Sequence, residues 1–159
     1  MIIFLLAATS CISNRLIENE NINTITLEKT SCFGNCPVFM IKVFQNGEVQ
    51  LVGKENLPYI GSYCAHLDKS RLDSLFDAFN SHGFFDFKDS YTSNYRDLPT
   101  SFVTFRWQGK SKSVTDYDRA PAGLKELEER VSSLVGTVHW RKCKLQAKPT
   151  ATSMEGNSK

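Results

Sequence analysis

The sequence predicts an α+β fold: an antiparallel sheet of about five strands with two helices packed on one face, in the order βββ-α-ββ-α. Short segments alternate apolar and polar residues, as half-buried strands do. A tight turn at Asn46-Gly47 joins two of them, which indicates antiparallel pairing. Two later segments carry apolar residues at helical spacing. With 159 residues, 41% of them hydrophobic, the chain has the size of one globular domain.

The first ten residues have the composition of a signal segment. Seven apolar residues run from Ile2 to Ala8, enough for a signal-peptide core but too few for a membrane-spanning helix. The segment from Ala8 to Cys11 resembles the bacterial lipoprotein box, whose cysteine takes a diacylglycerol. We therefore expect residues 1–10 to be removed, Cys11 to be lipidated and residues 11–23 to form a flexible tether. The alternative is a buried first strand of a cytosolic protein.

The domain is predicted over residues 24–140, and it begins with three strands. Ile25 and Leu27 alternate with polar residues in the first strand, and the second runs from Val38 to Phe44. The third passes through Val49 and Val52 after the Asn46-Gly47 turn. Apolar residues on both faces of these strands indicate a central position with more than one layer packed on the sheet.

The second half of the domain is predicted to contain two helices separated by a hairpin. Ser70 caps the first helix, which ends at Gly83 and buries one stripe, namely Leu72, Leu75, Phe76 and Phe79. The hairpin runs from Phe102 to Tyr117 and turns near Gly109. Pro121 opens the second helix, whose stripe is Leu124, Leu127, Val131 and Leu134.

The net charge of +2 is unevenly distributed. The stretch from His139 to Lys159 holds five Lys or Arg residues against Glu155 alone, which leaves the rest of the chain at −2. This balance argues against a nucleic-acid partner. We expect residues 141–159 to form a disordered basic tail.

Cys32 and Cys36 are the side chains in this sequence that are best suited to redox or metal chemistry. In an oxidising compartment, thiols four residues apart across a glycine-containing turn favour a disulfide, worth roughly 2 kcal/mol for so short a loop. The alternative is a redox or copper site, because the Cys-x-x-x-Cys-Pro spacing is similar to that of Sco-type copper chaperones. Those proteins add a distant histidine, and this chain offers His66, His82 and His139. A strand follows Cys36, so the helix field that activates thioredoxin-type thiols is missing.

Cys64 and Cys143 remain once Cys11 is assigned to the anchor. Joined, they would close a loop of about eighty residues worth roughly 4.5 kcal/mol, but sequence spacing leaves their pairing open. His82 lies at a predicted helix C-terminus, where a cation is favoured. We therefore expect it to stabilise the helix end as a cation rather than to bind a metal ion.

The long aromatic connection from Phe84 to Thr100 is the candidate binding loop. Tyr91, Tyr95 and Asp97 are its candidate ligand-binding residues, and the alternative is that its rings only fill the edge of the core. Phosphate-binding glycine loops, nucleophile elbows and zinc-binding helices have no counterpart in the sequence, so we assign no catalytic residue, no metal and no cofactor.

The chain resembles a bacterial family known as domain of unknown function 6438. The likeness spans about residues 25–140 and is carried by Cys32-Phe33-Gly34-Asn35-Cys36-Pro37 before a strand, the Asn46-Gly47 hairpin, Tyr91 with Asp97-Leu98-Pro99-Thr100, and Leu124 and Leu127 before Trp140. The resemblance implies a short exported or lipid-anchored protein. It implies no activity, cofactor or substrate.

Two functional hypotheses follow. The first is a non-enzymatic lipoprotein of the bacterial envelope, periplasmic or at the cell surface, that binds an unknown protein or small-molecule partner through the aromatic connection. The second is a thiol-disulfide or copper-handling protein that uses Cys32 and Cys36.

Overall fold

A computed structural model describes residues 22–143, in which eight strands form one sheet. The strands are β1 (Thr24–Lys29), β2 (Val38–Phe44), β3 (Glu48–Glu55), β4 (Gly61–His66), β5 (Ser90–Tyr91), β6 (Ser101–Trp107), β7 (Lys110–Asp116) and β8 (Arg141–Lys142). The helices are α1 (Lys69–Ser81), α2 (Ala122–Ser132) and the one-turn α3 (Leu134–Thr137), with a 3₁₀ turn at Phe84–Asp86.

The sheet has the spatial order β5-β7-β6-β1-β2-β3-β4-β8. Its pairings are antiparallel except for that of β5 with β7, which is parallel. This arrangement confirms the α+β class, whereas the prediction of about five strands in the order βββ-α-ββ-α is wrong. The missed strands gave little signal: β5 and β8 are two residues long, and in β4 Ala65 is the one fully buried residue.

Two tight turns set the register of the central strands. Gly47 has a φ of 88°, which a glycine adopts readily, and the turn places Val43 opposite Val49. The β6–β7 turn passes through Gln108 and Gly109, both with positive φ, as the turns that suit a twisted hairpin require. Both turns lie where the sequence predicted them.

The core lies on one face of the sheet. Ile25, Leu27, Ile41 and Val103 belong to one buried cluster with the apolar residues of α1 and α2. Most residues that alternate with them, such as Phe102, remain exposed or half-buried, although Thr24 and Val38 are buried. In the part of the chain that the structure describes, one core cluster is present, so the expectation of more than one layer packed on these strands is wrong.

The helix boundaries correct one prediction and confirm others. The N-cap of α1 is Asp68 rather than Ser70, because the Asp68 carboxylate accepts the Arg71 N–H at 3.0 Å. The helix ends at Ser81 with His82 as its C-cap, and Gly83 follows with a φ of 63°. Pro121 occupies the N-cap position of α2.

The chain end described by the structure belongs to the fold. Arg141 of β8 pairs with Cys64 of β4, and Cys143 forms a disulfide with Cys64. Residues 141–143, which the sequence places in the tail, therefore extend the folded part of the chain past Trp140. The predicted signal segment, Cys11, nearly all of the tether and the rest of the tail lie outside the described residues. Between residues 22 and 143, no helix is both long and apolar enough to cross a membrane.

Candidate functional site

The two segments that the sequence singled out lie side by side at one end of the sheet. We call residues 30–37 the disulfide loop and residues 92–100 the tyrosine loop, and together the loop platform. They meet because β1 ends and β6 begins next to each other, with Lys29 paired to Ser101. The loops that leave these strands are therefore neighbours from their first residue.

Backbone hydrogen bonds join the two loops. Thr30 donates its N–H to the Thr100 carbonyl, and the Thr100 N–H returns a hydrogen bond to Thr30 Oγ1, both at 3.0 Å. Farther out, the Phe33 N–H donates to the Asp97 carbonyl at 3.2 Å. The two loops thus form one supported surface rather than two independent tips.

The disulfide loop is also closed upon itself. Cys32 and Cys36 are bonded, with their Cα atoms 5.7 Å apart. From the β3–β4 turn, Asn56 Nδ2 donates to the Cys36 carbonyl at 3.0 Å. A five-residue ring with an outside support loses little further conformational entropy when it binds a partner.

Two aromatic side chains project from the loop platform. Phe33, at the tip of the disulfide loop, is 92% exposed, and Tyr95 of the tyrosine loop is 64% exposed. Large apolar side chains exposed to this extent have no role in the core of this fold. Exposed aromatic groups on a rigid support are typical of binding surfaces.

The candidates from the tyrosine loop have different roles. Tyr91 is half-buried, and its hydroxyl accepts the Lys88 N–H at 3.1 Å, so it supports the base of the loop. Asp97 has a φ of 65°, and its carbonyl is the acceptor for Phe33. Tyr95 is the candidate that is displayed to solvent.

Tyr117, which no sequence pattern indicates as a loop contact, anchors the tyrosine loop. Its hydroxyl donates to the Tyr95 carbonyl at 2.7 Å and accepts the Leu98 N–H at 3.4 Å. Tyr117 directly follows β7, so its position is tied to the sheet. An isolated tyrosine at a strand end carries no sequence signal for such a contact.

A buried pair of acidic residues lies at the same end of the sheet. Asp116, the last residue of β7, is 1% exposed, and Glu128 of α2 is 4% exposed. Asp116 forms an ion pair with Lys125, and both Asp116 and the Ser101 hydroxyl lie close enough to the Glu128 carboxyl to affect its pKa. Charged groups are rarely buried this completely unless they are paired.

The Glu128 carboxyl holds its proton unusually strongly. Burial, the largest cause, raises its pKa from the ordinary 4.5 to about 7, and the neighbouring Asp116 raises it further in the same direction. Ser101 and Lys125 act in the opposite direction. Glu128 thus changes charge near neutral pH.

The sequence held an unused signal for this pair. Glu128 stands four residues after Leu124 and three before Val131, so it occupies the buried stripe of α2. Asp116 shares the strand face of Val114, which is buried. A charged residue on the buried face of each of two elements is therefore visible in the sequence once the two apolar faces are drawn.

The other chemical candidates are dispersed. Cys64 pairs with Cys143, with Cα atoms 5.1 Å apart. His82 ends α1, its ring contacting the Ala78 carbonyl at 2.9 Å and Glu126 at 3.2 Å, whereas His66 and His139 are exposed. A search of residues 22–143 finds no three His, Cys, Asp or Glu residues grouped to hold a metal ion.

Residues 23–135 match the family described as domain of unknown function (DUF6438). The match covers more than two thirds of the 159 residues. The chain belongs to the DUF6438 family. A search of curated proteins finds no match to it. Within this DUF6438 domain, the matched segment includes both loops of the loop platform and the Asp116–Glu128 pair.

Proposed function

We propose that this DUF6438 protein is a non-enzymatic binding module of the bacterial envelope, and that the loop platform docks a protein partner. One observation carries this proposal: a disulfide-closed loop holds Phe33 at 92% exposure and is hydrogen-bonded to the loop that displays Tyr95 at 64% exposure. Buried aromatic anchors supply much of the free energy of many protein interfaces, and rigid supports limit the entropy lost on binding.

The projecting side chains favour a protein over a small molecule as the partner. Small-molecule sites are concave and enclose the ligand, whereas Phe33 extends from the tip of its loop. A cleft of about 560 Å³ does exist, but it lies at the opposite end of the sheet, between α1 and the hairpin turns, where it is lined by Asn46, His66 and Trp107 among others.

The location is part of the proposal. The apolar start of the chain and the lipoprotein-like Ala8-Thr9-Ser10-Cys11 support an anchor on the outer side of a bacterial membrane. Two disulfides suit an oxidising compartment. The membrane is thus a proposed partner through the lipid on Cys11, and replacing Cys11 by alanine should abolish incorporation of a palmitate analogue.

The binding proposal is tested by crosslinking from chosen positions in cells. A photoreactive amino acid at position 33 should capture a defined protein. The same group at Phe102, which is 39% exposed on the open sheet face, is the matched control and should not capture it. With that protein purified, Phe33→Ala and Tyr95→Ala should each weaken binding about tenfold or more. Equal binding by wild type and the double variant would show that the platform is not the docking surface.

The alternative function is a thiol-disulfide or copper-handling protein, and the half-exposed position of Cys32 and Cys36 on a surface loop favours it. It requires a bond that is readily reduced, with a potential well above about −300 mV, or tight binding of Cu(I) to the reduced pair. A binding module instead needs the bond as a support, so we expect it to persist in glutathione buffers. Redox titration with mass-spectrometric detection of Cys32 and Cys36 separates the two functions.

A further inference from the structure

The buried acidic pair is connected to the loop platform through adjacent residues. Asp116 is followed directly by Tyr117, whose hydroxyl holds the tyrosine loop at Tyr95 and Leu98. Ser101 of β6 is the register partner of Asp116 on β7. The residue before Ser101 is Thr100, the last residue of the tyrosine loop. The tyrosine loop is therefore held at two places next to the acidic pair: at Tyr117, which follows Asp116, and at Thr100, which precedes Ser101.

The local charges determine how the pair responds to a proton. Facing Glu128 are Asp116 from β7, the Ser101 hydroxyl from β6 and the Lys125 ammonium from α2 itself. On β1, half-buried Lys29 is the register partner of Ser101. With one proton on the pair, a single carboxylate faces Lys125. When that proton leaves for solvent, two buried negative charges face the same Lys125 ammonium.

Two carboxyl oxygens of the acidic pair lack the hydrogen bonds that would stabilise a second negative charge. Asp116 Oδ1 and Glu128 Oε1 are both buried and make no conventional hydrogen bond in the described structure. A carboxyl group that keeps its proton donates a hydrogen bond to its neighbour, whereas two carboxylates can only accept. Loss of the proton thus converts an attractive contact into a repulsive one.

We propose that loss of the proton that Glu128 carries beside Asp116 loosens the tyrosine loop, so that partner binding at the loop platform weakens as the pH rises. The binding part of this inference rests on the function proposed above, whereas the loosening of the loop does not. The transition falls near neutral pH because burial raises the pKa of Glu128 to about 7.

The loosening is measured at Arg96, an exposed trypsin site inside the tyrosine loop. The oxidised full chain is digested at about pH 6 and about pH 8.5, and cleavage after Arg96 is normalised to a peptide of the same local sequence. We expect the normalised rate to rise about tenfold in wild type, as a change of about 1.4 kcal/mol in loop opening would produce. Glu128→Gln should show no rise, because its side chain has no proton to lose.

Two further variants make the result specific. Glu129→Gln changes the exposed neighbour of Glu128 on the same helix and should behave as wild type. Lys125→Met removes the cation that favours ionised Glu128, so it should move the rise in cleavage to higher pH. A flat wild-type profile, or an undiminished rise in Glu128→Gln, would overturn the proposal, as would a Lys125→Met profile at the wild-type position.

The two proposals fail differently. If cleavage follows the pattern above but Phe33→Ala leaves partner binding unchanged, the loop is controlled by pH and the platform is not the docking surface. If Phe33→Ala weakens binding while wild type binds equally at both pH values, the platform binds and its control by the acidic pair is refuted.

Discussion

Replacing Glu128 by glutamine should stabilise the protein above neutral pH and leave its stability below about pH 5 almost unchanged. In the folded protein the Glu128 carboxyl keeps its proton up to about pH 7, whereas in the unfolded chain it loses that proton near 4.5. Between these values the folded state binds more protons, so the free energy of unfolding falls as the pH rises. Glutamine keeps the shape and the donor of the protonated acid and removes this dependence.

The size of the effect follows from the two pKa values. Each pH unit in the window costs about 1.4 kcal/mol, so the shift from 4.5 to about 7 corresponds to at most about 3.5 kcal/mol. The loss is complete above about pH 7 and absent below about 4.5. A difference of this size is a large part of the stability of a small domain.

Urea unfolding, followed by tryptophan fluorescence at about pH 5 and about pH 8, measures this difference. Glu128→Gln should match wild type at the lower pH and exceed it by about 2 to 3 kcal/mol at the higher pH. Glu129→Gln, on the exposed side of α2, should follow wild type at both. If Glu128→Gln is no more stable than wild type at about pH 8, the reasoning from buried charge repulsion is refuted.

Three other predictions concern the scaffold. Cys64→Ser with Cys143→Ser should lower the free energy of unfolding by about 4.5 kcal/mol, because the bond joins residues 79 positions apart in sequence. Urea titration, with the m-values compared, measures this loss. Gly53→Ala should lower the free energy of unfolding by more than about 3 kcal/mol, since a Cβ there would overlap the Tyr59 carbonyl. Gly136→Ala, with open space around it, should leave stability unchanged, and thermal melting of both variants measures the difference. Tyr117→Phe should remove two hydrogen bonds from the tyrosine loop and cost about 1 kcal/mol. The rate of proteolysis of the loop should rise at all pH values, while the dependence of that rate on pH stays the same.

The platform was only partly visible in the sequence. The spacing of Cys32 and Cys36 around a glycine predicted a short stapled turn, and the run of rings before Thr100 predicted a loop suited to binding. That these two segments touch could not be read from the chain, because the hydrogen bond from Phe33 to Asp97 joins residues far apart in sequence. It depends on the pairing of β1 with β6, which local patterns do not specify.

Local patterns by themselves determined the α+β class, the two hairpin turns and the buried stripes of the helices. These features depend on φ preferences and on the 2.0 and 3.6 residue periods, which act between near neighbours. The tertiary structure alone decided which strands lie side by side, that Cys64 meets Cys143, and that Asp116 and Glu128 are buried together. Long-range pairing and desolvation arise only when distant segments exclude water from each other, so their consequences for charge and chemistry emerge with the fold.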